Sequence, residues 1–218
     1  MGYGKKDNQT VNVGKKAEFG VSSMTSRLKS VAMLKPMEAL RTADPNRWHY
    51  GRSFDPTKVD SNYSSFTKTL ANLDVDILWM TPLNNQIADS IFTYDASFMT
   101  QNGAILLSPG KQLRKGEEKI HADFYKNNDI PIIGKTSGLA IAEGGDMFWL
   151  DEETLVIGKG FRTNQIGVDQ IKQILIPLNV RVVSFDLPFF KGPKACLHMM
   201  SLISVVDEKK ALAYISLL

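Results

Sequence analysis

Three stretches of the chain repeat apolar residues at intervals of three or four. The first runs from about Asn62 to Leu73 and carries Tyr63, Phe66, Leu70 and Leu73. The second runs from about Lys115 to Asn127, with Ile120 and Phe124. The third runs from about Gly167 to Leu178, with Val168, Ile171, Ile174 and Leu175. This spacing predicts three amphipathic helices, each with one buried stripe. Each is followed by a turn-prone Asn or Asp: Asn72 and Asp74, Asn128 and Asp129, and Asn179. A short apolar run comes next, over Val75–Met80, Ile130–Ile133 and Val180–Phe185. These runs predict strands that start 55 and then 50 residues apart.

Further apolar runs fall in the same phase. Ala104–Leu107 precedes the second helix, Leu155–Ile157 precedes the third, and Ala211–Ile215 follows with no helix after it. Between the two sets lie Ser90–Thr93, Met147–Leu150 and Leu197–Val205. The predicted unit is strand, strand, helix, strand, repeated about every 50 residues, which points to an α/β repeat protein. Terminal repeats normally carry a polar closing face. Here the last predicted strand runs into apolar Ile215, Leu217 and Leu218. The expectation is a polar tail over residues 1–19 and an α/β domain over 20–218 that is incomplete at its C-terminal end.

Composition narrows the class. The 218 residues are 43% hydrophobic and 22% charged, the balance of a globular protein and not of a disordered or fibrous one. No run approaches the roughly 20 apolar residues of a membrane span. The net charge of +3 leaves no broad basic footprint for nucleic acid. One cysteine excludes a disulfide framework and fits a reducing compartment. The start, MGYGKKDNQT, has no apolar run after its lysines and no Ser or Thr at position 6, so it reads as neither a secretory signal nor a myristoylation site. A cytoplasmic protein is expected.

Aligned by phase, the units place Asp95, Glu143 and His198 at similar points, 48 and 55 residues apart. In a closed radial repeat such loops meet near the axis. A carboxylate can orient an imidazole and support its protonated form. A second can bind a planar cation through paired charge-assisted hydrogen bonds. Glu143-Gly144-Gly145-Asp146 carries two glycines that permit close backbone approach. An ordinary turn with solvated acids accounts for that run equally well. Arg114 and Arg162 recur between a strand and a helix, where ligand loops are common, and either suits a carboxylate clamp or a surface charge. His121 lies on a helix among charged residues and is expected to be solvated. His49, between Arg47-Trp48 and Tyr50, is read as structural, in an N-terminal loop packing near the site. Three histidines and one cysteine show no zinc-ligand spacing. Gly134-Lys135-Thr136 fails as a phosphate loop because Asp129 stands where the first glycine belongs.

In their order these motifs resemble the guanidine-modifying, or pentein, superfamily. The runs are Asp89–Asp95, Arg114-Lys115-Gly116-Glu117, Glu143–Asp146, Arg162-Thr163-Asn164-Gln165 and Leu197-His198, and the likeness extends from about Gly20 to the chain end. The resemblance implies a five-bladed α/β propeller with an axial active site. It implies that Asp95 binds the substrate guanidinium, Glu143 orients His198, and His198 protonates the leaving nitrogen and then activates water. Arg114 and Arg162 are implied to hold an α-carboxylate and Asp89 an α-amino group, with Phe92 and Asp146 as further site residues. The Arg-Thr-Asn-Gln run is most similar to that of the dimethylarginine dimethylaminohydrolases. Arginine deiminases usually carry a carboxylate two residues after the histidine, where Met200 stands. Tyr94 occupies a place that is often acidic in the eukaryotic dimethylarginine hydrolases.

The implied activity is hydrolysis of N-methylated arginine to citrulline and a methylamine through a covalent thiol intermediate, with no cofactor and no metal. An amidinotransferase, an arginine deiminase and a catalytically inactive binder of arginine analogues are the alternatives. The implied partner is a small guanidino molecule, with no nucleic acid and no membrane, and a homodimer is allowed. In the family the nucleophilic cysteine lies well after the histidine. Cys196 stands two residues before His198, on the same face if that segment is a strand. It is therefore not at the family position, and the nucleophile is expected beyond Leu218.

Overall fold

The computed structural model describes residues 18–83, 86–192, 195 and 197–217. Most of the tail predicted over 1–19 and the whole of Cys196 and Leu218 lie outside the described residues. Strand β1 (Ser30–Met33) leads through two one-turn helices, α1 (Glu38–Arg41) and α2 (Pro45–Trp48), into α3 (Pro56–Asn72) and β2 (Asp76–Trp79). Then come β3 (Ser97–Thr100), β4 (Gly103–Leu106), α4 (Glu117–Asn127) and β5 (Ile132–Lys135). The next set is β6 (Met147–Asp151), β7 (Thr154–Lys159), α5 (Gln165–Leu175) and β8 (Arg181–Asp186), and β9 (Ile203–Asp207) and β10 (Lys210–Ala213) follow.

The repeat is visible in the pairing. β3 and β4 form an antiparallel hairpin, and β5 returns parallel to β4 after helix α4. β6, β7, α5 and β8 repeat that arrangement. β1 and β2 pair in parallel across α3, and β9 and β10 form one more hairpin. The helix-to-strand joints repeat too. Asp74, Asp129 and Asn179 all take positive φ, between 54° and 57°. Short Asx side chains tolerate that conformation better than most residues.

The largest core lies between α5, the β6–β8 sheet and the edge of the preceding sheet. Met147, Leu155, Ile157, Ile171 and Leu175 are fully buried there, with Phe98, Ile105 and Leu107 from the neighbouring unit. Full burial of each such side chain contributes about 1.5–3 kcal/mol. The units are thus joined through apolar side chains as well as through loops.

The pattern misplaced some elements. Ser90–Thr93 is not a strand. A 3-10 turn over Ala88–Ile91 replaces it, and the Ser90 hydroxyl closes that turn by donating to the Ile87 carbonyl at 2.7 Å. The strand of that phase is β3, a few residues later. In Leu197–Val205 only the end is strand, because Met199–Ser201 forms a 3-10 turn. Helix α3 begins at Pro56, not near Asn62, since the Asp55 side chain caps the Thr57 and Lys58 N–H groups and proline suits the first turn. Its expected stripe is only partly buried: Leu70 is covered, but Phe66 and Leu73 are exposed. Among the described residues no helix is long and apolar enough to cross a membrane.

Candidate active site

The repeat places equivalent loops side by side. Asp95 lies just ahead of β3, Glu143 ahead of β6 and His198 ahead of β9. The Gly144 N–H donates to the Asp95 carbonyl at 3.0 Å, and the Gly145 N–H donates to Asp95 Oδ1 at 3.1 Å. These bonds stitch the second loop to the first. Asp146 joins the second to the third, its Oδ1 accepting the Met199 N–H at 3.0 Å. Three separated residues therefore converge. His198 Nε2 lies 2.8 Å from Glu143 Oε2 and 4.0 Å from Asp95 Oδ1.

Glycine is required at both central positions. A Cβ on Gly145 would lie 2.7 Å from the His198 ring and 3.0 Å from Asp95 Oδ1. A Cβ on Gly144 would fall on the Tyr94 carbonyl oxygen.

The charges are arranged in depth. Glu143 is completely buried, and its Oε1 accepts the Gly110 N–H at 2.9 Å. Burial pushes its carboxyl pKa up. The bond to His198 and the Arg114 and Arg162 guanidiniums outweigh burial and hold it below the usual range. Burial pushes the Asp146 pKa up to about 6, against the lowering effects of His198, Thr163 and the Met199 N–H. Arg162 Nη1 stands 3.8 Å from Glu143 Oε1.

Arg114 is placed differently from the expectation that it clamps a substrate carboxylate. It is buried, and its Nε and Nη2 donate to Glu117 at 2.7–3.0 Å. Its Nη1 donates to Asp95 Oδ2 at 2.7 Å and stands 3.5 Å from Glu143 Oε2. Three carboxylates thus surround this guanidinium and use the donors a ligand carboxylate would need. Glu117, which belongs to the Arg114–Glu117 run but was given no role from the sequence, is pushed up to about 7 by burial, against the lowering effect of Arg114. Its spacing of three from Arg114 at the start of a helix was the available signal.

Asp89 is buried between the Tyr50 hydroxyl, which donates to Oδ1, and Lys111 Nζ, 2.6 Å from Oδ2. Phe92 exposes its ring and offers its carbonyl to Arg114 Nη2 at 3.5 Å. Tyr94 is partly exposed, its hydroxyl 3.5 Å from the Met147 carbonyl.

His121 is not solvated. It is 2% exposed, with Nδ1 2.7 Å from Ser97 Oγ, which also bonds the Tyr125 hydroxyl at 2.5 Å. The helix turns it inward beside Ile120 and Phe124, where Ser97 supplies the partner a buried imidazole needs. Burial, and then nearby Arg114, lowers its pKa from 6.5 to about 4. Above the unfolded value both states are neutral. As pH falls from 6.5 to about 4 the unfolded chain takes the proton first. This group alone is therefore expected to remove about 3 kcal/mol of stability across that window. Denaturant titrations at a series of pH values check this, comparing wild type with His121→Gln. An unchanged acid slope in the variant rules it out.

Among the described residues one trio of candidate metal ligands occurs, Asp95, Glu143 and His198, with ligand atoms within 4.8 Å of one another. Asp95 Oδ2 and Glu143 Oε1 are already engaged by Arg114 and Gly110.

A family model described as arginine deiminase matches residues 55–218. A curated dimethylarginine dimethylaminohydrolase of Pseudomonas aeruginosa is 28% identical over 127 residues, covering 58% of this chain and 49% of that one. An uncharacterised protein of Caenorhabditis elegans is 25% identical over 208 residues, covering 95% of this chain and 69% of the other. The chain spans about half the length of the curated dimethylaminohydrolases it matches, 49% and 47%. A solved dimethylarginine dimethylaminohydrolase from Pseudomonas aeruginosa, a variant complexed with citrulline, superposes with a TM-score of 0.71 at 22% identity, over 85% of this chain and 69% of that one. An amidinotransferase from Microseira wollei superposes with a TM-score of 0.70 at 13% identity, over 89% and 69%. The repeated unit, the matched fold and the family match over residues 55–218 agree: the chain belongs to the arginine deiminase family, within the guanidine-modifying pentein superfamily.

Proposed function

We propose that residues 20–218 carry the binding and acid–base part of a hydrolase acting on an N-substituted guanidino group. N-methylated arginine is the reference substrate, and citrulline and a methylamine are its products. The observation that carries this is the imidazole between two carboxylates, with His198 Nε2 2.8 Å from Glu143 and 4.0 Å from Asp95. Glu143 holds the ring in one orientation and favours its protonated form. Asp95 keeps lone pairs for a guanidinium, while Arg114 and the Gly145 N–H fix its carboxylate plane.

A cysteine thiolate attacks the guanidinium carbon, and a C–S bond forms. The imidazolium gives its proton to the leaving nitrogen as the C–N bond breaks and the amine departs. Water then loses a proton to the neutral imidazole and attacks the same carbon. The C–S bond breaks, the thiolate is released, and a ureido product is left. Arg162, beside Glu143, binds the carboxylate at the far end of the substrate. Arg114 positions Asp95 and does not touch the substrate.

Titration calorimetry with dimethylarginine, together with a colorimetric ureido assay, tests the reading. Wild type is expected to bind, and Asp95→Asn to bind at least tenfold more weakly. Any turnover is expected to fall by about 10²–10⁴ in His198→Ala. Loss of turnover in Cys196→Ser would make that residue the nucleophile. Absence of binding to wild type, or equal binding to Asp95→Asn, sinks the reading.

A further inference from the structure

The far end of the site departs from what an α-amino acid needs. Asp89 is the residue that the superfamily resemblance assigns to an α-ammonium group, yet each of its oxygens already accepts a hydrogen bond and one of those donors is a cation. Tyr50 donates to Oδ1, and Lys111 Nζ lies 2.6 Å from Oδ2. Lys111 is itself enclosed, its side chain 12% exposed. It also donates to the Trp48 carbonyl at 2.8 Å and lies over the Trp48 and Tyr50 rings, 5.4 and 5.7 Å from their centres. These contacts hold it in one place.

This cluster belongs to the site. Lys111 directly follows Gly110, whose N–H binds Glu143 Oε1 at 2.9 Å. Asp89 and Lys111 together carry no net charge. An incoming α-ammonium would add an unpaired positive charge beside Lys111 and would have to share Asp89 with Tyr50 and Lys111. A carboxylate meets the opposite situation. Arg162 is buried, and its Nε has no hydrogen-bond partner among the described residues. A buried guanidinium N–H calls for an acceptor.

From this we infer that Lys111 sets specificity: the site takes a guanidino carboxylate that lacks an α-ammonium group in preference to an α-amino acid. The inference rests on the guanidino reading and refines its reference substrate at the end remote from the guanidine. Lys111 acts by occupying Asp89, so the guanidine-binding residues are unaffected.

Titration calorimetry on the 218-residue chain tests it with three probes that share one guanidine. 5-Guanidinopentanoate keeps the carboxylate alone, L-arginine adds the α-ammonium, and agmatine keeps an ammonium without the carboxylate. The expected order is 5-guanidinopentanoate at least tenfold tighter than L-arginine, with agmatine weakest. In Lys111→Met the gap between the first two is expected to close by about tenfold, because Asp89 becomes free for an ammonium. If that variant does not fold, the wild-type order decides alone. L-arginine binding as tightly as its deamino analogue overturns the role of Lys111 and leaves the guanidino reading intact. Failure of all three probes to bind overturns both.

Discussion

Arg114→Ala is expected to destabilise the fold by about 3–5 kcal/mol at neutral pH, the cost of leaving buried carboxylates without their cation. Arg114 touches Asp95 and Glu117 at hydrogen-bond distance and lies 3.5 Å from Glu143, and its side chain is 4% exposed. Removing it strands three buried acids from two successive units. The pH dependence gives the effect a signature. A buried carboxyl without a neighbouring cation has its folded pKa raised above the unfolded one. Its cost is therefore present at high pH and fades as pH falls through the folded value. Glu117 already titrates at about 7 with Arg114 in place, so its value in the variant is higher still. Urea unfolding is to be compared above and below that pH. The deficit is expected to shrink on the acid side. A pH-independent loss of about 1 kcal/mol, as for an exposed pair, would show that the guanidinium is not the hub of this cluster.

Gly144→Ala is the second large effect expected, about 3 kcal/mol, at the upper end for overpacking a close contact. The Gly144 N–H lies 3.0 Å from the Asp95 carbonyl, so two backbones touch there. An added Cβ would fall on the Tyr94 carbonyl oxygen and lie 3.3 Å from that of Ser97. Both are backbone atoms of the neighbouring unit and cannot rotate away. The turn must therefore shift, carrying Glu143 on one side and Gly145 on the other. Loss of stability and loss of guanidino binding are expected together. Gly51→Ala is the control, since a Cβ there meets nothing within 4 Å. Equal thermal midpoints for Gly144→Ala and wild type would show that the two loops are not in contact.

How much of this was legible beforehand follows from the range of each signal. The helices α4 and α5, and the strands β4 to β8, announce themselves by local apolar periodicity. The three joints announce themselves by Asp or Asn at the same phase. The phase also brought Asp95, Glu143 and His198 to one place, because a repeated unit carries a repeated loop. The strand β3 was missed for a physical reason. Its Ser97 and Thr100 are buried polar residues satisfied by distant or turn partners, so no alternation of apolar and polar positions marks it. Phe66 and Leu73 were misjudged because periodicity shows that a face exists and not that a neighbour covers it.

The sequence by itself determined the class of fold, the repeating unit and the identity of the three converging side chains. All of these depend on local pattern and spacing. Only the tertiary structure decided how the charges divide their work. Arg114 looked like a ligand clamp and is a buried counter-ion. His121 looked solvated and is sealed against Ser97. Asp89 looked free for a ligand and is held by Tyr50 and Lys111. A charged side chain reads the same in sequence whether it faces water, a substrate or another charge. Packing between units settles which, because burial makes an unpaired charge too costly to leave alone.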